Sequence, residues 1–129
     1  MGYELDFLPV GDSNGDAICI RYGTPGAYKI HVVDGGYVDT GQIVVDHIKM
    51  YYGSPTFIDN VVLSHADRDH AGGLKAVLES FNVGALWMNR PWLYCGEIIN
   101  NFHGNYTVEG LRKKIRDEYL SLVFVFLVR

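Results

Sequence analysis

The stretch "VVLSHADRDHAGGL", residues 61–74, sets two histidines and two aspartates within six positions, His65, Asp67, Asp69 and His70, directly after an apolar run. Imidazole nitrogens and carboxylate oxygens so closely spaced can converge on one or two divalent ions, because a tight turn aims several side chains at one point. Without a cation, carboxylates held together would repel one another. The competing account is a polar loop tied by ion pairs to Arg68. Gly72 and Gly73 follow, and would let the backbone pass close behind bound ions as a helix begins.

Such a loop needs a rigid mount. Val61, Val62 and Leu63 are apolar without alternation, the pattern of a strand covered on both faces, and the loop after such a strand is where open α/β layers place ligands. Upstream, "ELDFLPVG" alternates through Leu5 and Phe7 and predicts a half-buried strand ending near Pro9. Ala17 to Val33 predicts a hairpin reversing at "GTPGA". Ile43, Val44, Ile48 and Tyr51 share one helical face, with Thr40 as N-cap and Gly53 as stop. A short helix to Phe81 and a buried strand over "VGALWMN" complete a β-α-β-α-β order. Beyond them, "CGEIINNF" suits a helical turn or two, and Thr107 caps a helix to about Tyr119. The basic run Arg112, Lys113, Lys114 and Arg116 is a solvated helix face, and the final "LVFVFLV" is a candidate strand.

The 129 residues, 48% of them hydrophobic, predict one domain with a sizeable core. A net charge of −4 argues against broad electrostatic capture of nucleic acid. The acidic start lacks the basic and apolar regions of a signal peptide, and "LSLVFVFLVR" is too short to span a bilayer as a helix. The expectation is therefore a cytoplasmic protein without membrane insertion. Cys19 and Cys95 stand apart in apolar surroundings and are expected to be buried free thiols.

"SHADRDHAGG" resembles the HxHxDH signature of the metallo-β-lactamase superfamily, in its HxDxDH variant. The preceding order, a strand, a Gly-rich turn ending Gly-Asp-Ala and a strand ending Asp-Gly-Gly, is similar to the hydrolase domain of ComEC-type DNA-uptake proteins. The likeness runs from residue 4 to about residue 90. It implies an α+β fold, the N-terminal half of an αββα sandwich. It also implies a metal-bound hydroxide attacking a phosphodiester or other ester, with nucleic acid among the candidate substrates. His65 would bind a first metal and Asp69 with His70 a second, Asp69 also orienting the nucleophile, while Asp34 would support the loop. Asp67 stands where the commoner pattern has histidine, which makes the first site richer in oxygen and manganese as fitting as zinc.

The family's later half supplies further ligands that this chain does not clearly carry. His103 is the one histidine downstream of the motif and is a candidate additional ligand; Asp117 falls within the expected late helix. Three accounts follow: a fragment of a longer protein, a homodimer whose copies complete each other, or a non-catalytic metal-binding or interaction module.

Overall fold

The computed structural model describes residues 1–12 and 14–123. Its five strands, β1 (Gly2–Phe7), β2 (Ala17–Thr24), β3 (Ala27–Gly35), β4 (Phe57–Leu63) and β5 (Asn82–Met88), lie side by side in chain order. The first three pair antiparallel, as the predicted hairpin requires, and β3, β4 and β5 pair parallel. Parallel neighbours need crossovers. Here α1 (Val38–Tyr51) joins β3 to β4, and α2 (Arg68–Ala71) with α3 (Leu74–Ser80) joins β4 to β5. The fold is thus α+β with a mixed sheet. After β5 come two short 3₁₀ turns flanking α4 (Cys95–Ile98), and then α5 (Val108–Val123).

The core lies between the sheet and α1 with α3. Val44, Val45 and Ile48 turn inward from α1, Leu74 and Val77 from α3, and they meet Val32, Ile58 and Val61 of the sheet. The expected helix is therefore present, but it starts earlier than Thr40: Tyr37 occupies the N-cap position, and Thr40 is buried within the first turn. Gly36, at φ 65°, turns the chain into the helix sooner than the polar Asp-Thr pair suggested. At the other end Gly53, at φ 81°, ends the helix as expected.

Thr107 caps α5 as predicted, its Oγ1 accepting the Gly110 N–H at 3.0 Å. The helix runs on to Val123, taking in Leu122 and Val123 of the expected terminal strand; the rest of that stretch lies outside the described residues. Both thiols are buried and unpaired, and burial pushes Cys19 up to about 12. Among the described residues no helix is long and apolar enough to cross a membrane.

The faces of the sheet correct two expectations. In β1 the polar side is the one that docks: Asp6 accepts hydrogen bonds from Tyr52 Oη at 2.6 Å and His47 Nε2 at 3.0 Å, tying the strand to α1. Leu5 and Phe7 consequently face outward, Phe7 with 70% of its surface exposed. Likewise, among the described residues, β4 and β5 are covered by helices on one side only. Val61 and Leu63 are buried, Val62 is half-buried, and Trp87 is 61% exposed.

Candidate metal centre

Parallel pairing of β3 with β4 brings the ends of both strands together, Val33 beside Val62, so that Asp34 stands next to the exit of β4 at Ser64. Asp34 is buried and holds φ 56°, a left-handed conformation that a non-glycine residue adopts at some cost. Its carboxylate accepts the Ser64 N–H on Oδ1 at 2.8 Å, and on Oδ2 the Ser64 hydroxyl at 2.5 Å and His70 Nδ1–H at 2.8 Å. These bonds offset the expense of burying a charge.

They also set the chemistry of both histidines. A carboxylate without a proton only accepts, so Nδ1 of His70 carries a hydrogen, and in the neutral ring Nε2 presents the lone pair. The Ser64 hydroxyl, already donating its single proton to Asp34, accepts from His65 Nδ1 at 2.9 Å. In the neutral His65 ring, Nε2 is thereby the lone-pair donor too. One buried carboxylate orients both rings, His70 directly and His65 through Ser64, which is the pattern of outer partners around metal-ligating histidines.

The free nitrogens face aspartates. His65 Nε2 lies 3.7 Å from Asp67 Oδ2, and His70 Nε2 lies 3.6 Å from Asp69 Oδ2. Both gaps are too long for hydrogen bonds. They are close to the roughly 3.4 Å that separates two donors held about 2.1 Å from a tetrahedral ion. Ligand atoms of His65, Asp67 and Asp69 lie within 4.8 Å of one another, as do those of Asp34, His65 and His70. In the second group Asp34 already accepts from Ser64 and His70, so it is an orienting partner rather than a ligand. The residues present therefore fit a divalent cation, His70 and Asp69 forming the sheltered floor and Asp67, 77% exposed, the open mouth.

Charge balance points the same way. Asp16, from the turn before β2, brings a further carboxylate oxygen to 3.8 Å from His70 Nδ1. The ion contacts of the loop run between its own histidines and nearby aspartates, and Arg68 takes no part in them. The Arg68 account of the loop thus finds no support.

The glycine pair acts differently from expectation. A Cβ at Gly73 would fall against the Gly35 carbonyl oxygen and 2.8 Å from the Gly41 nitrogen, and one at Gly72 would lie 2.8 Å from the Val38 nitrogen. Gly73 N–H donates to Gly36 O at 2.9 Å, and Gly36 N–H to Asp16 O at 2.8 Å. These glycines allow the loop to lie on the end of β3 and the start of α1.

Of the sequence-derived residues, His65, Asp67, Asp69, His70 and Asp34 are brought together. His103 is not: it sits exposed in the loop after the second 3₁₀ turn and belongs to neither cluster. His31 and His47 are half-buried in strand and helix, paired with Tyr22 and Asp6. In the basic run, Arg112 pairs with Glu109 at 2.7 Å and Lys114 with Glu118 at 4.0 Å, as on a solvated helix face. Sequence reasoning missed Ser64 and Asp16. Adjacency to His65 could have flagged Ser64, whereas only the folded hairpin turn brings Asp16 near His70.

No family model matches the chain, and no curated protein matches its sequence. The superfamily resemblance therefore rests on the sequence motifs alone.

Proposed function

We propose that the chain is a metal-dependent hydrolase of the metallo-β-lactamase type, its loop holding one or two divalent ions, zinc or manganese, and acting on phosphodiesters or other esters. On this reading the mixed sheet with its parallel crossovers is the N-terminal half of an αββα sandwich. Two buried unpaired thiols are in keeping with work in the reducing cytoplasm. The observation that carries the proposal is the pair of His–Asp gaps, 3.7 and 3.6 Å, whose histidines are both oriented by Asp34.

His65 and Asp67 would hold one ion, and Asp69 and His70 a second or the remaining side of a shared one. A divalent ion bound there supplies Lewis acidity, which acidifies water and neutralises developing negative charge. Asp34 and Ser64 keep both imidazoles in the metal-ready tautomer. Asp69, partly shielded beside His70, presents a carboxylate able to orient an attacking water and take up its proton. The open mouth at Asp67 leaves room for an ester larger than the site itself.

Metal-loaded protein is expected to contain zinc or manganese by elemental analysis, to lose it in the His65→Ala, His70→Ala double variant, and to hydrolyse bis(nitrophenyl) phosphate. Asp69→Ala should lower that rate at least about 100-fold. Hydrolysis unaffected by Asp69→Ala would remove the loop from the mechanism. Metal bound at the same residues with no turnover would instead establish a non-catalytic metal-binding module.

A further inference from the structure

The face of the sheet that α1 and α3 leave uncovered is apolar from edge to edge. Register aligns one row across all five strands, Phe7 beside Ile18, Ile18 beside Val33, Val33 beside Val62, and Val62 beside Trp87. Its ends stand in solvent, and Tyr3, two rows along beside Tyr22, is 84% exposed. The polar groups on this face already have partners: Trp87 Nε1 donates to Asn60 Oδ1 at 2.7 Å, and His31 Nε2 meets Tyr22 Oη at 3.3 Å. Burying them would break no bond to the protein.

Size decides what such a face is for. Taking roughly 200 Å² for a free aromatic side chain, the exposed fractions of Tyr3, Leu5, Phe7, Tyr22 and Trp87 with the half-buried row amount to about 800 Å². That exceeds the roughly 300–600 Å² of the largest apolar patch on an ordinary monomer. It equals the area of about 800 Å² that each partner contributes to a standard protein interface.

We infer that this face packs against the same face of a second copy of the chain, the two sheets stacked about 10 Å apart across a twofold axis. A self-contact suits the charge pattern. Each chain carries a net −4, yet neither the apolar row nor the Leu5, Ile20, His31, Asn60, Ala85 row beside it contains a charged group other than the imidazole, and Lys29 at the margin, beside Tyr22, is already paired with Asp59 at 2.8 Å, so like faces meet without burying unpaired like charges. The inference is independent of the metal, and loss of hydrolysis would leave it standing.

Sedimentation of the full chain from about 1 to 100 µM tests it. The expected result is a monomer–dimer equilibrium that tightens as salt rises, because the contact is apolar and the only long-range term between copies is repulsive. Phe7→Glu and Trp87→Glu, both at exposed positions, should each weaken it about 100-fold while leaving the far-ultraviolet dichroism unchanged. A dimer untouched by both substitutions would place the contact at a sheet edge and overturn the inference. So would a monomer throughout the range. In that case iodide quenching of Trp87, in a Trp92→Phe background, would tell a face shielded by the chain's own end from one open to a different protein.

Discussion

At the scale of single residues, the site depends on Asp34 more than on any ligand. Its carboxylate is the shared acceptor for Ser64 and His70, and through Ser64 for His65. Asp34→Asn replaces one acceptor oxygen with an amide NH2, which donates and cannot accept, and disturbs both rings, so it should weaken zinc or manganese binding by about 10- to 100-fold, as loss of outer partners does elsewhere. Ser64→Ala should act on His65 alone and weaken binding less, with Ser64→Thr restoring it. Titration calorimetry reads the affinities, and nitrogen-15 shifts of His65 report whether Nδ1 keeps its proton. Unchanged affinity in Asp34→Asn would show that the rings need no external orientation.

At the scale of elements, two contacts hold the mount in place. Gly73 lets the His-Asp loop lie against Gly35 of β3 and Gly41 of α1. Gly73→Ala should therefore destabilise the fold by about 3 kcal/mol, measured by urea denaturation, since backbone rather than a flexible side chain stands in the way. Gly96→Ala, in α4 with nothing near its Cβ, is the matched control and should be neutral or slightly stabilising. The second contact joins β1 to α1 through Asp6. Hydrogen bonding from Tyr52, helped by His47 and opposed by partial burial, holds the Asp6 carboxyl below its usual value. A depressed carboxyl contributes stability that is fully present above the unfolded value near 3.8 and is lost as pH falls through the folded one. At pH 7 Asp6→Ala should cost about 1 kcal/mol, discounted for solvent access, and the gap to the parent should close on acidification below that value. A gap that persists to the lowest pH at which the fold survives would mean that packing, not the charge, links strand to helix.

At the scale of the whole molecule, the sheet is a one-sided layer. Helices bury the centre of one face, while the other keeps an apolar row across five strands. If two copies cover each other, folding and association are linked, and the unfolding midpoint should rise by about 3 °C for each tenfold increase in chain concentration. Phe7→Glu should abolish that dependence. A midpoint independent of concentration in the parent protein would separate folding from assembly.

The candidate ligand cluster and most elements were legible in the residues themselves, because spacing on a short loop and hydrophobic periodicity are local properties. His65, Asp67, Asp69 and His70 announce themselves within six positions, and the hairpin, the crossover helices and the cap at Thr107 follow from nearby patterns. Tertiary structure alone decided which face of each strand is buried. In β1 an alternating pattern marks two sides without saying which will dock, and the bonds from Tyr52 and His47, more than forty residues away, drew the acidic side inward. Tertiary structure also chose the histidine tautomers, because the proton positions depend on a carboxylate thirty-six residues from His70 that only parallel strand pairing delivers.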